Sequence, residues 1–193
     1  MDYQDLNDIA KLCSSNVHPQ TIMEIAKTES NLNQFAVNVN GIDKSFKITK
    51  LGDALEVIEL AKSKDKTFDV GLMQINSRNL DRFGIKPIDA FEPCLNIRIG
   101  GIIISEFYKT ALRQTNDPQV ALQQALSAYN TGSLINGFSN GYVEKYYTPA
   151  PGKPTPKPKK PKDNWQNQGN AKSELEPDTG TQGDWGKFLD PEK

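Results

Sequence analysis

No apolar run in the 193 residues reaches the roughly 20 positions needed to cross a bilayer. The opening Met1-Asp2-Tyr3-Gln4 has neither the basic nor the apolar region of a signal peptide. A membrane span is not expected, and two readings stay open: a cytosolic protein, or an exported one whose signal has been removed, Met1 then being an added start. The second is the favoured reading. A surplus of charge of one sign is also missing. Lys and Arg number 23 against 24 Asp and Glu, which removes support for nucleic-acid binding and for electrostatic membrane anchoring. Histidine is nearly absent: His18, just before Pro19, is read as the residue that opens a helix and not as a catalyst. Cysteine is limited to Cys13 and Cys94, a count equally compatible with one disulfide and with two buried thiols. Apolar content is low too, 36% with a mean hydropathy of -0.60, so part of the chain is expected to remain solvated.

That part is the C-terminal end. A break in composition falls near Thr148, and eight of the twelve prolines lie from Pro149 onward. A stretch so rich in Pro, Lys, Gly and Asn cannot bury enough apolar surface to order itself. Residues 1–148 are therefore read as one domain and 149–193 as a disordered Pro/Lys-rich tail, in which Trp165, Trp185, Phe188 and Leu189 are either docking anchors or isolated aromatics.

Residues 1–148 read as mainly α with a small β-element. Leu6, Ile9, Ala10 and Cys13 recur at helical spacing. Pro19 suits the first turn of a second helix whose apolar stripe, Ile22, Ile25 and Ala26, has Glu29 at its edge. Asn40-Gly41 between alternating residues signals a hairpin. Leu51, Leu55, Ile58 and Ala61 share a helical face; residues 67–76 look extended, ending in a turn at Gln74-Ile75-Asn76. A long helix is expected from Glu92 to about Arg113, another after the cap pair Asp117-Pro118 and up to Gly132, and a short last one around Tyr142 to Tyr147.

Three short motifs carry the chemistry. Glu29-Ser30 closes a helix; Gly71-Leu72-Met73-Gln74-Ile75-Asn76 follows; Ala128-Tyr129-Asn130-Thr131-Gly132 comes last. A glutamate beside an apolar stripe loses hydration of its charged form and is expected to hold its proton, as a general acid must. Gly71 and the Gln74-Asn76 amides would let backbone and side chains approach sugar hydroxyl and acetamido groups. Each motif alone also has an ordinary explanation: a solvated helical glutamate, a strand and turn with Leu72, Met73 and Ile75 in the core, an asparagine that helps end a helix. Their succession in this order is what points to glycosidic-bond cleavage.

With these motifs, over roughly residues 5–147, the chain resembles the lysozyme-like soluble lytic transglycosylases. Within them it is most similar to the subgroup encoded with bacterial type IV secretion and conjugation systems, whose helical insertion is matched by LGDALEVIELAKSK ahead of FDVGLMQINSR. The resemblance implies a lysozyme-like helical domain in which Glu29 is the catalytic acid/base and Ser30 assists it. Gly71, Met73, Gln74 and Asn76 would line the glycan groove, and Tyr129, Asn130 and, more weakly placed, Tyr142 would lie near the reacting sugar. It implies cleavage of the MurNAc-GlcNAc β-1,4 bond of peptidoglycan with formation of 1,6-anhydromuramoyl ends, no metal or organic cofactor, a periplasmic location, and secretion-system components as partners, reached through the tail. It also raises the expectation of a Cys13–Cys94 disulfide. Asp69 opens an alternative. FDVGLMQINSR also resembles the lysozyme strand that bears a second carboxylate, so a hydrolytic muramidase using Glu29 and Asp69 stands beside the transglycosylase. A non-catalytic murein-binding adaptor is the rival from another class.

Overall fold

A computed structural model of the protein describes residues 3–14 and 16–147; the tail expected at 149–193 lies outside them. The described residues fall into two compact units, one ending at residue 103 and one starting at residue 104.

In the first unit, α1 (Tyr3–Cys13) buries Leu6, Ala10 and Cys13 against α2 (Pro19–Ser30). Pro19 sits in the first turn of α2, and His18 opens the helix: its Nδ1 accepts from the Gln20 N–H at 3.2 Å. Next come β1 (Val37–Val39) and α3 (Leu51–Ser63), then β2 (Phe68–Val70), β3 (Ile75–Asn76) and α4 (Ser77–Phe83). The strands form one antiparallel sheet in the order β1-β2-β3. Two sequence expectations are corrected here. Gly41 does turn the chain, with φ of +76°, but it does not close a hairpin: β1 pairs with β2, and α3 lies in the connection between them. The turn expected at Gln74-Asn76 lies earlier, at residues 71–74, while Ile75–Asn76 is strand. Local turn chemistry reports where a chain reverses, not which strand it then meets.

A 3₁₀ turn at Asp89–Phe91 leads into α5 (Pro93–Leu112). Glu92 caps that helix, its carboxylate accepting from the N–H groups of Cys94 and Leu95 at 3.0 and 2.6 Å. Cys94, in its first turn, is bonded to Cys13 with the Cα atoms 5.3 Å apart, so the expected disulfide is present. Further along α5, Gly101 lies close to Ile22 and Val17.

In the second unit, Asp117 caps α6 (Pro118–Thr131) by accepting from the N–H groups of Gln119 and Val120, and Gly132 ends it at φ +70°. The stretch Ala121–Ala128 is buried throughout. Its small residues admit α7 (Asn136–Ser139): a Cβ on Gly137 would stand 2.6 Å from the Ser127 Cα, and the Gly137 N–H donates to Ser127 Oγ at 2.8 Å. A 3₁₀ segment, Val143–Tyr146, replaces the short helix expected there. Among the described residues no helix is long and apolar enough to cross a membrane.

Candidate active site

Glu29 occupies the last turn of α2, half-buried, one residue before Ser30, whose hydroxyl donates back to the Ala26 carbonyl at 2.9 Å. The helix cannot continue. Asn31 and Leu32 both take left-handed backbone, φ +51° and +63°, and their N–H groups close on the carbonyls of Lys27 and Ala26. Asparagine accepts that conformation readily, whereas for leucine it is strained by about 1–2 kcal/mol. The bend directs the chain toward Ala36, and the Ala36 carbonyl accepts from the Gly71 N–H at 2.9 Å and from Gln74 Nε2 at 3.2 Å. The loop leaving Glu29 is thus fastened to the turn that begins at Gly71.

Gln74 is the other strained residue, at φ +46°. Its amide nitrogen also donates to the Gly71 carbonyl at 2.9 Å. Asn76 ends β3 and caps α4: its Oδ1 accepts from the Arg78 N–H at 3.1 Å while its Nδ2 donates to Asp69 Oδ1 at 2.7 Å. Asp69 lies in the central strand, opposite Asn38 on one side and Asn76 on the other. Its second oxygen accepts from Asn40 Nδ2 at 3.0 Å. Burial raises the Asp69 pKa above the usual carboxylate value, opposed by hydrogen bonds from Asn76, Asn40 and Asn38.

Two residues expected to line the groove, Met73 and Gly71, are buried. Met73 is fully buried, against Gly100 of α5. Gly71 is buried as well, and the close approach its missing side chain permits is to Asn96, because a Cβ there would stand 2.2 Å from Asn96 Nδ2. Asn96 itself is missed by motif reading. It is 1% exposed and bonded to Met73, Val70 and Ala90; a single asparagine in the apolar run Leu95-Asn96-Ile97 is its only sequence signal.

The second unit carries the remaining residues. Tyr129 is half-buried near the end of α6, and Asn130 is exposed beside it, its Oδ1 accepting from Asn140 Nδ2 at 3.0 Å. Tyr142 is buried, its hydroxyl 2.7 Å from that of Tyr146.

The family model of the transglycosylase SLT domain matches residues 7–148. The chain belongs to this family. Protein virB1 of Agrobacterium fabrum is 32% identical over 173 residues, 90% of this chain and 70% of that protein. Protein virB1 of Rhizobium radiobacter is 34% identical over 146 residues, 76% of this chain and 61% of that one. The Type IV secretion system protein virB1 of Brucella abortus is 32% identical over 143 residues, 71% and 60% respectively. The matches thus span 60% to 70% of the relatives' own length. No solved structure matches the chain. The transglycosylase domain accounts for the mainly helical architecture with one small sheet.

Proposed function

We propose that the protein is a peptidoglycan lytic transglycosylase that opens the cell wall locally for a type IV secretion or conjugation apparatus, acting in the periplasm. The observation that carries the reading is the fastening of the Glu29 loop to the Gly71–Gln74 turn within a chain of the transglycosylase SLT family. Glu29 is the acid/base. It sits half-buried in the C-terminal turn of α2. It would protonate the oxygen between N-acetylmuramic acid and N-acetylglucosamine, then take the proton of the muramoyl C6 hydroxyl as that oxygen attacks C1. The bond closed is the 1,6-anhydro bridge, and no water is consumed. Because the nucleophile belongs to the substrate, one protein carboxyl suffices, and no cofactor is needed.

Ser30 supports the end of the Glu29 helix. Gln74 and Asn76 take up sugar hydroxyl and acetamido groups, with Met73 and Gly71 setting the turn from beneath. Tyr129, Asn130 and Tyr142 are the sugar-binding residues the family resemblance suggests in the second unit. The disulfide and the virB1 relatives support export to an oxidising compartment. Residues 149–193 then serve to reach components of the apparatus.

Hydrolysis with Asp69 as second carboxylate is favoured by one observation, the place of Asp69 in the central strand of the sheet. Against it, both Asp69 oxygens are held by asparagine amides, which supports a sheet-fixing role. Mass spectrometry of digested sacculi tests both readings, since anhydro ends and reducing ends differ by one water. Anhydro ends are expected; reducing ends from the native protein would overturn the transglycosylase reading, and no digestion would leave the adaptor.

A further inference from the structure

We propose that Asn96 is a positioning residue for glycan cleavage: its buried amide holds the Gly71–Gln74 turn in the conformation that brings Gln74 onto Ala36, and so sets the turn against the loop leaving the Glu29 helix. The inference rests on the transglycosylase reading. Asn96 projects from the first turn of α5 and uses both amide hydrogens and its oxygen. Oδ1 accepts from the Met73 N–H at 2.8 Å, while Nδ2 donates to the Val70 carbonyl at 3.1 Å and the Ala90 carbonyl at 2.8 Å. It therefore grips the backbone on both sides of Gly71 and ties it to the 3₁₀ turn at Asp89–Phe91. Both amide hydrogens are spent, and a buried polar group that loses such partners is strongly penalised.

The turn is shaped to receive it. A Cβ on Gly71 would meet Asn96 Nδ2 at 2.2 Å and Cγ at 2.8 Å, and Gly71 has φ +78°, so glycine is required by both space and backbone. One helical turn along α5, Gly100 leaves room for Met73: a Cβ there would lie 2.8 Å from its side chain. The underside of the turn thus rests on two positions of one helix. On its upper side Gln74 Nε2 bonds Gly71 and Ala36, and this bond depends on the left-handed backbone of Gln74. Release of Met73 and Val70 from Asn96 frees the turn to relax that strain, moving Gln74 away from Ala36. Misplacement of a substrate-holding group by about 1 Å can cost about 10²-fold.

The test compares the full chain with Asn96→Ala, Asn96→Asp and Gly71→Ala on soluble glycan strands, well below the unfolding midpoint, with activity expressed per folded molecule from circular dichroism. Asn96→Asp keeps the volume and the acceptor but loses both donors; Gly71→Ala disturbs the same amide from the turn side. Every variant that folds should lose about 10²-fold in kcat/KM, with the pH profile of the wild type because Glu29 is untouched. Amide exchange at Met73 should accelerate in Asn96→Ala. The Gly71→Ala/Asn96→Ala double variant should lose only a few-fold beyond either single one, since both act through one contact. Wild-type kcat/KM per folded molecule in any folded variant would overturn the proposal while leaving the transglycosylase reading intact. No turnover by the native chain would sink both.

Discussion

In the proposed mechanism the Glu29 carboxyl gives and then retrieves one proton, which an amide cannot do. Glu29→Gln should preserve fold and sacculus binding while turnover falls by ~10²–10⁴-fold; dye release from labelled sacculi within a few-fold of wild type would show that another group is the acid. Asp69 makes a different demand. Its folded-state pKa lies above that of the unfolded chain, so the folded state holds the proton more tightly between the two values. The stability Asp69 contributes is full below the unfolded value near pH 4 and is lost as pH rises through the raised folded value. Asp69→Asn should flatten that segment of the stability curve in urea titrations from pH 3 to 7, and should lower turnover modestly with anhydro ends still formed. A collapse as deep as that of Glu29→Gln would make Asp69 catalytic. Both carboxyls stand out in the sequence because short motifs surround them. Asn96 does not, because an asparagine becomes a bolt only through the backbone groups it meets, and those of Val70, Met73 and Ala90 come from another stretch of chain.

Helices α2, α5 and α6 were readable because each starts or stops on local chemistry, at Pro19, Pro93, the Asp117-Pro118 pair and Gly132, and α1 and α3 because their apolar residues recur at helical spacing. Short α4 and α7 escaped, too brief for a period to show. The sheet escaped in its pairing, for β1 finds its partner only across α3, and no nearest-neighbour signal encodes that. The Cys13–Cys94 bridge, separated by 81 residues, joins α1 to α5 and should stabilise the fold by about 4 kcal/mol in the chain-entropy view. Its reduction should then lower the unfolding midpoint by on the order of 10 °C. Calorimetry with and without reductant checks this; an unchanged midpoint would mean that packing alone holds α1 in place.

At the scale of the whole chain, every residue proposed to act on the glycan precedes Thr148. A chain truncated after Tyr147 should digest purified sacculi as the full chain does and fail to support conjugation in cells. Loss of activity on sacculi would move part of the substrate site beyond Tyr147. The bridge also divides the molecule topologically. Glu29, Asp69, Gln74, Asn76 and nearly all of the sheet's supporting structure lie between Cys13 and Cys94, inside a covalent ring, whereas Tyr129, Asn130 and everything after them lie outside it. A peptide bond cut in the exposed 43–47 segment opens the ring without releasing a fragment, and the nicked chain keeps its full mass until a reductant separates it. A cut after Tyr147 sheds its piece at once. Proteolysis can therefore detach the far end of the protein in a single step, while the part that carries Glu29 stays tied together by sulfur.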